Sequence, residues 1–345
     1  MTAPRTRSFM KKKTIIILAV ILSLVLLLGI LLLVQKKLDE LHEQERQNFK
    51  IQPLSLSVDQ EVTAPGVEVH LTADASGGKG TLFYEFYYLD GEEKVVIQEK
   101  SEQNSVSFTS QGLALYNMYV DVSDESPWTD DQTASCRYGA AQNGVDVSAY
   151  QGEVDWAALK EQGITFAMLR TGFGHENPED QQDARFAENI QNAHAAGIKA
   201  GAYHFSYALT PEDAAKEAEF CLSILEPYKD MIDFPIAFDI EGEEHKSLSE
   251  EELIAVINAF CEPVAAAGYT PIVYTYDSWL IYHPGWKQLK DYDLWIANWS
   301  TSPQSEYDYV LWQHTNTGRL DGVGTNVDLN YAFCDYEDGE KILVK

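Results

Sequence analysis

Three patterns of hydrophobic and polar residues follow one another along the 345-residue chain, and each predicts a different kind of structure. Residues 14–34 form an uncharged, mostly aliphatic run. Residues 53–123 contain short stretches in which apolar and polar residues alternate, as they do in half-buried strands. From residue 143 onward, short apolar segments alternate with longer segments of helical periodicity, which is typical of α/β proteins. The pattern therefore predicts an N-terminal helix, a small all-β region and a larger α/β domain.

The first run has the length of a membrane-spanning helix. Its 21 residues would extend roughly 30 Å, which is the thickness of a bilayer's hydrocarbon core. The run ends in Gln35-Lys36-Lys37, without the small residues of a signal-peptide cleavage site, so an uncleaved anchor is favoured. Basic residues crowd the preceding segment, which predicts a cytoplasmic tail over residues 1–13. The chain is expected to be a single-pass protein of the cell membrane, in contact with lipid through residues 14–34 and otherwise extracellular.

Turn residues and composition divide the remainder of the chain. Residues 35–52 are polar and predict a short helix or stalk leaving the membrane. Residues 53–123 predict a small β-sandwich that resembles the immunoglobulin-like modules of bacterial surface proteins. A spacer role is favoured for it over binding to the cell wall. Residues 124–142 are predicted to be a linker, and residues 143–345 are predicted to be the larger α/β domain.

The α/β domain has the pattern of an irregular (β/α)8-type barrel. Its last crossovers are too short for helices, so the irregularity is expected there. The predicted helices are Trp156–Gln162, Ala184–Ala196, Pro211–Leu225, Ser249–Ala267 and Ser278–Leu289. The predicted strands are Gly144–Ser148, Thr165–Thr171, Lys199–Ser206, Pro235–Glu241, Pro271–Tyr276, Leu294–Asn298, Val310–His314 and Asn326–Leu329.

Charge and cysteine content limit the possible partners. The chain carries a net charge of −29, and because residues 1–50 contribute +5, the remainder carries −34. So acidic an exterior argues against nucleic acid as a partner, since phosphate is bound mainly by basic residues. The four cysteines have no zinc-site spacing. Cys221 and Cys261 fall in consecutive predicted helices, and either a disulfide between them or two buried thiols fits the pattern.

Two carboxylates end the predicted strand Pro235–Glu241. Asp239 and Glu241 stand two positions apart and should therefore share one face of the strand, roughly 6–7 Å from each other. Active sites of such barrels lie at the C-terminal ends of the strands. Repulsion and burial would raise one pKa, giving a proton donor beside an ionised partner, which is the pairing that glycosidases need. Asp146 and Asp328 border two other strand ends.

The ends of the predicted strands also carry aromatic and amide side chains suited to a sugar-binding groove. Aromatic faces pack on pyranose rings, and amides bond hydroxyl groups. For any single one of these residues, packing in the core is the more ordinary role, and the group as a whole carries the prediction. The candidates for substrate binding are Tyr203, Tyr274, Trp295, Asn298, Trp312 and Gln313, with Tyr150 and Trp299 nearby. The histidines lack the spacing of zinc hydrolases, and no phosphate-binding loop is present, so no metal or cofactor is expected.

Eight short segments of the α/β domain together form a recognisable pattern. The segments are Gly144–Gly152, Val154–Trp156, Met168–Gly172, Gly201–Phe205, Phe238–Glu241, Leu294–Asn298, Leu311–His314 and Asn326–Asn330. All of them, in the same order, resemble the glycoside hydrolase family 25 lysozymes. The likeness spans about residues 143–335 and covers neither the apolar run nor the β-rich region.

The resemblance implies muramidase activity, the hydrolysis of the β-1,4 bond between N-acetylmuramic acid and N-acetylglucosamine in peptidoglycan. It implies that Glu241 is the general acid. It gives Asp239 the role of stabilising positive charge or of orienting the acetamido group of the substrate. Asp146 and Asp328 match the other acids of the family's active site and would bind sugar. The alternative is a catalytically silent surface protein that keeps the groove and binds the cell wall.

Overall fold

The computed structural model describes residues 5–282, 292–300, 302–305, 307–337 and 340–342. The chain divides into two compact units. One consists of residues Met1–Asp59, His70–Ser107 and Asn117–Cys136, and the other of residues Gln60–Val69, Phe108–Tyr116 and Arg137–Lys345. The second unit therefore contains two short segments that precede the barrel in the sequence.

The apolar run is part of one long helix, α1 (Arg5–Asn48). Its portion Ile17–Asn48 is long and apolar enough to cross a membrane, with a mean hydropathy of 3.4 in the most apolar window and none of that window buried. A membrane anchor and a signal sequence both have these properties. The predicted N-terminal apolar helix is thus confirmed.

The polar end of α1 packs against the β-rich region of the same unit. The His42 ring stacks on Trp128 with 3.5 Å between the ring centroids. Arg46 Nε donates to the carbonyl oxygen of Trp128 at 2.9 Å, and Glu45 forms an ion pair with Lys79. The segment predicted as a stalk therefore continues the helix and is held by tertiary contacts over its last turns.

Eight strands follow α1 and form two sheets. The three-stranded sheet has the order β1-β3-β6 and the five-stranded sheet the order β2-β8-β7-β4-β5. The segment predicted as a linker contains the last of these strands, because apolar and polar positions alternate there as well. The strands are β1 (Ile51–Val58), β2 (Val62–Thr63), β3 (Glu68–Gly77), β4 (Phe83–Asp90), β5 (Glu93–Ser101), β6 (Ser105–Thr109), β7 (Ala114–Ser123) and β8 (Gln132–Ala140).

The α/β region contains a closed barrel of eight strands, in the order β9-β10-β11-β12-β13-β14-β15-β16. The barrel strands are β9 (Gln142–Val147), β10 (Ile164–Phe173), β11 (Lys199–Phe205), β12 (Ile236–Asp239), β13 (Pro271–Tyr276), β14 (Asp293–Ala297), β15 (Leu311–Gly318) and β16 (Val327–Ala332), and a hairpin of β17 (Asp335–Glu337) and β18 (Glu340–Ile342) follows. The helices are α2 (Trp156–Glu161), α3 (Pro178–Gln181), α4 (Phe186–Ala195), α5 (Pro211–Leu225), α6 (Glu250–Ala266) and α7 (Asp277–Tyr282).

The predicted α/β class with an eight-stranded barrel is confirmed, but the barrel is not uniformly parallel. Strand β16 runs antiparallel to both of its neighbours, β15 and β9. Among the described residues, no helix connects β14 to β15 or β15 to β16. The predicted helix Ser278–Leu289 begins as α7, and its part beyond Tyr282 lies outside the described residues.

Side chains of the barrel strands alternate between the interior and the surrounding layer. Phe166 and Phe234 stack inside the barrel with 4.7 Å between centroids, and Tyr336 packs on Phe234. On the outer face, Phe238 packs against Phe260 of α6 at 4.4 Å. Val62 and Leu115, from the two short upstream segments, also pack against the outer core of this unit.

Cys221 and Cys261 lie on the packed pair of helices α5 and α6, and both are buried thiols that are not joined to each other. Burial raises the pKa of the Cys221 thiol to about 12, so it is protonated and unreactive at neutral pH. The sequence allowed either a disulfide between these cysteines or two buried thiols, and the structure has the buried thiols.

Candidate active site

Four acidic side chains come together at the end of the barrel where the parallel strands finish. Asp146 lies near the end of β9, Asp239 is the last residue of β12, Glu241 follows two residues later, and Asp328 lies near the start of antiparallel β16. Each of these four carboxyl groups has its pKa raised by burial, and like charges among them add to the effect. The sequence-based prediction that these acids share one site therefore agrees with their positions.

Asp239 faces the barrel interior and is only 4% exposed. Its neighbour Phe238 takes the outer face of the same strand, as alternation requires. Its Oδ1 atom has no hydrogen-bond partner among the described residues. Burial, together with the charges of Glu241 and Asp146, raises the pKa of Asp239 well above its usual value, while the Arg170 guanidinium opposes the shift. A buried carboxylate oxygen without a donor is costly, and such groups are common at functional sites.

Glu241 lies beyond the strand that was predicted to contain it. Strand β12 ends at Asp239, although the Ile240 amide still donates to the Tyr274 carbonyl oxygen at 3.0 Å. A short 3-10 helix, Glu243–Ser247, turns the chain directly afterwards. The Glu241 side chain is half-buried. Its carboxylate accepts a hydrogen bond from Tyr276, which partly offsets the rise in pKa that burial causes.

A hydrogen-bond network surrounds Asp146. Its Oδ2 atom accepts from Gln313 Nε2 at 2.9 Å and from Asn330 Nδ2 at 2.8 Å. Asp146 and Asp328 also share a hydrogen bond, and burial raises the pKa of both carboxyls, so a single proton lies between the two side chains.

Tyr274, Gln313 and Tyr203 lie directly around the acids. The Tyr274 hydroxyl donates to Gln313 Oε1 at 3.0 Å and is also within bonding reach of Glu241, so its single proton serves one or the other. Gln313 is 3% exposed and uses both ends of its amide within the site. Burial and the nearby charge of Asp146 raise the pKa of Tyr203 well above its usual value, so its hydroxyl remains a donor.

The other three residues predicted to bind substrate make hydrogen bonds to the protein instead of to the acids. Trp295 is 1% exposed, and its indole Nε1 donates to Asn330 Oδ1 at 2.8 Å. Trp312 takes the outer face of β15, and its Nε1 donates to the Asn298 carbonyl oxygen at 3.0 Å. The Asn298 amide in turn donates to Asp277 at 3.0 Å. Their ring faces and amides are occupied by the protein itself, which gives these residues a supporting position.

Four residues of the site were not predicted as site residues: Arg170, Asp183, Asn330 and Tyr276. Arg170 forms a 2.9 Å ion pair with Asp183, whose side chain is fully buried and also accepts from the Ala149 amide. Asn330 stands two positions after Asp328, so strand alternation was the signal that could have found it. Among the described residues, no group of three or more His, Cys, Asp and Glu side chains is arranged to hold a metal ion.

Comparison with known proteins gives a consistent picture of the region 145–323. The family model described as "Glycosyl hydrolases family 25" matches these residues, a range that includes Asp146, Asp239 and Glu241 and stops short of Asp328. The chain is 30% identical to Lysozyme M1 of Streptomyces globisporus over 212 residues, which cover 58% of this chain and 71% of the relative. It is 27% identical to the autolytic lysozyme of Clostridium acetobutylicum, covering 54% of each chain.

Among solved structures, the bacterial lysozyme from Streptomyces coelicolor is similar to this chain at 28% identity, with a TM-score of 0.46. The likeness covers 55% of this chain and 90% of that one. All three similarities therefore fall on little more than half of this chain.

Proposed function

Because this chain belongs to glycosyl hydrolase family 25 and is a glycoside hydrolase of the lysozyme type, we propose that it cleaves the β-1,4 bond between N-acetylmuramic acid and N-acetylglucosamine in peptidoglycan. The family and its lysozyme relatives support peptidoglycan hydrolase activity, and the particular bond and the residues that break it are the proposal. The observation that carries the residue assignment is the buried, unpartnered Oδ1 of Asp239 beside the half-buried carboxyl of Glu241.

In this mechanism Glu241 is the general acid. It protonates the glycosidic oxygen while positive charge develops on the sugar, as glycosidases with paired carboxyls do. Asp239 accepts the N–H of the substrate's acetamido group at its Oδ1 atom. That contact orients the acetamido carbonyl oxygen to attack the anomeric carbon and places a negative charge beside the developing positive charge.

We propose that the two carboxyls share one proton and that substrate binding decides which of them holds it. Asp239 is the more deeply buried of the two and its Oδ1 atom has no donor among the described residues, so the proton would lie on Asp239 before substrate binds. An N–H donated to Asp239 Oδ1 would stabilise the ionised form, since hydrogen bonds to a carboxylate lower its pKa. The proton would then favour Glu241, where the general acid needs it. Substrate binding would therefore leave Glu241 protonated and ready to act as the general acid.

We assign substrate binding to Asp328, Asp146, Tyr203, Tyr274 and Gln313, whose polar groups face the acids. Asp328 is the more exposed of its pair and would bond sugar hydroxyls, while Asp146 holds it in place through their shared hydrogen bond. We give Trp295, Asn298 and Trp312, which the sequence predicted to bind substrate, the role of positioning the strands from behind.

We propose that residues 14–34 anchor the enzyme in the cell membrane, with residues 1–13 in the cytoplasm and the rest outside, facing the cell's own wall. The boundaries predicted from the sequence (a stalk at 35–52, an immunoglobulin-like sandwich at 53–123, a linker at 124–142 and a catalytic domain at 143–345) remain part of this proposal. So does the assignment of the catalytic domain to an irregular (β/α)8-type barrel. The length and composition of α1 support the anchor.

The test is hydrolysis of purified peptidoglycan by the full-length protein in detergent, compared with Glu241→Gln and with a matched Glu262→Gln control on an exposed face of α6. We expect new reducing ends on muramic acid, identified by mass analysis, and a loss of at least about a hundredfold in Glu241→Gln alone. Equal release by the wild type and Glu241→Gln would refute the mechanism. If neither cleaves while both bind the wall, the silent surface protein is the correct alternative.

A further inference from the structure

Strands β15 and β16 carry a second group of aromatic rings, on the outer face of the barrel. His314 stacks on Tyr331 with 4.1 Å between centroids, and Trp312 lies 5.9 Å from His314 and 5.6 Å from Tyr331. These residues alternate with Gln313 and Asn330, whose side chains bond Asp146 in the interior. Trp312 is buried within this group, whereas His314 and Tyr331 are partly exposed.

A cavity of about 310 Å³ lies against these rings. Trp299, Trp312, His314 and Tyr331 line it, together with Glu61 and Ser302. Ser302 donates a hydrogen bond to the Glu61 carboxylate, which joins two segments of the same compact unit. The volume falls at the lower end of the range of small-molecule sites, and aromatic walls with a few polar groups are typical of them.

Trp299, which lines the cavity, also contacts residues of the candidate active site. The indole Nε1 of Trp299 donates to Gln313 Oε1 at 2.8 Å, and Gln313 bonds Asp146. The Trp299 ring also contacts Tyr276 edge to face at 5.7 Å, and Tyr276 donates to Glu241. One aromatic residue therefore separates the cavity from the tyrosine that bonds the proposed general acid.

The chemistry of the lining restricts the ligand. None of the described lining residues is Lys or Arg, so the cavity does not suit a phosphate or a free carboxylate. Burial lowers the pKa of His314 to about 4, so its imidazole is neutral at physiological pH and offers one donor and one acceptor. Glu61 and Ser302 add further hydrogen-bonding groups beside the rings. An uncharged ring with an apolar face and several hydroxyls, such as a pyranose, combines the groups that this lining can bind.

We propose that this cavity is an accessory subsite for an uncharged acetamido-sugar unit of the glycan strand that occupies the catalytic groove. The inference rests on the proposed function, because it assigns the same substrate to a neighbouring site. Glu61 lies upstream of the region that the family model matches, whereas Trp299, Trp312 and His314 lie within it. Glu61 comes from the strand-rich segment upstream of the barrel, which thereby contributes directly to recognition of the substrate.

The test measures binding without relying on catalysis. The full-length Glu241→Gln protein in detergent is titrated with N-acetylglucosamine oligomers of two and of six units, followed by tryptophan fluorescence and calorimetry. Glu61→Ala is introduced into this background, with Glu262→Ala as the matched control. Both glutamates are exposed, so neither substitution should disturb folding.

We expect Glu61→Ala to weaken binding of the six-unit oligomer by about five- to tenfold, the effect of losing one hydrogen bond to a hydroxyl, and to leave the two-unit oligomer unchanged. The control should bind both oligomers normally. Unchanged hexamer affinity, equal weakening of both lengths, or no hexamer binding in the Glu241→Gln background would each overturn the subsite. If wild-type protein cleaves peptidoglycan while Glu61→Ala binds normally, only this inference fails. If binding depends on Glu61 but no cleavage occurs, only the proposed function fails.

Discussion

Asp146 and Asp328 lie directly opposite each other on the antiparallel strands β9 and β16. Asp146 is 5% exposed and Asp328 is half-buried, and burial raises the pKa of both carboxyls. The charge of Asp146 raises the pKa of Glu241, whereas the charge of Glu241 raises the pKa of Asp328. Two carboxyls of similar appearance in the sequence therefore differ in how they affect the proposed general acid.

The first prediction concerns the effect of Asp146 on Glu241. Asp146→Asn removes a carboxyl group whose charge raises the pKa of Glu241, so the pKa of the general acid should fall and the alkaline limb of the kcat/KM profile should move to lower pH by about 1 unit. The new amide can still donate to Asp328, so the arrangement of the two side chains should be kept. The measurement is hydrolysis of a soluble glycan oligomer from pH 4 to pH 9. An unshifted limb in Asp146→Asn would mean that the charge of Asp146 does not act on Glu241.

A second prediction concerns Glu217 on α5, which is 1% exposed and accepts from Ser206 Oγ at 2.6 Å and from the Tyr207 amide at 2.8 Å. Burial raises the pKa of Glu217 to about 7. Because the folded-state value exceeds the unfolded value, the native protein is most favoured while Glu217 is protonated. Stability is therefore lost as pH rises from about 4.5 through 7.

Glu217→Gln keeps the shape without the ionisation and can still accept from the Tyr207 amide, so the free energy of unfolding should change less over this pH interval. Thermal or urea unfolding at pH 5, 6, 7 and 8 measures the difference. Glu219→Gln, an exposed change on the same helix, is the control and should follow the wild type. Parallel curves for the wild type and Glu217→Gln would contradict the assignment.

Local signals in the sequence were sufficient to predict the bounds of some helices and strands. Helix α5 has the predicted bounds because Thr210 caps it by accepting from the Asp213 amide and Pro211 occupies its first turn. Strand β13 likewise runs from Pro271 to Tyr276 as predicted. The direction of β16 could not be predicted in this way. Apolar and polar residues alternate identically along a strand in either direction, and only its neighbours in the closed barrel fix the choice.

The third prediction follows from the composition of the second compact unit. Residues 60–69 and 108–116 belong to it, and Val62 and Leu115 pack against its outer core. The segment 143–345 alone would lose this cover and expose part of the ring of Phe333, which contacts Gly139 closely. We expect it to unfold at least about 5 °C below residues 51–345. Differential scanning fluorimetry of the two proteins decides this, and equal midpoints would show that the barrel is independent of the upstream segments.

A fourth prediction concerns the end of α1. Trp128→Ala removes the ring on which His42 stacks, although the backbone bond from Arg46 to position 128 is retained. The last turns of the helix should loosen, and trypsin should cleave after Arg46 at least about fivefold faster, because proteolysis requires local opening. Tyr282→Ala, a change at an exposed aromatic residue on α7, is the control. Unchanged cleavage in Trp128→Ala would mean that the ring contact does not hold the helix.

The sequence predicted the acids of the candidate site but not which aromatic residues face them. Acids at strand ends can be recognised from the sequence, since an apolar run that ends in carboxylates is visible there. Which aromatic residues face the acids is not visible. Gln313 and Trp312 are adjacent, yet one lies inside the barrel and the other outside, because alternation assigns opposite faces without saying which face is the interior. The ion pair of Arg170 with Asp183 required the tertiary fold to bring the two together.

The antiparallel direction of β16 has one further consequence. Its last residue, Ala332, is paired with Gln142, the first residue of β9. The first strand of the barrel therefore begins, and the last strand ends, side by side at the end of the barrel opposite the four acids. A short peptide joining these two points would allow a circularly permuted barrel, with its new chain ends opened in an exposed loop away from the acids.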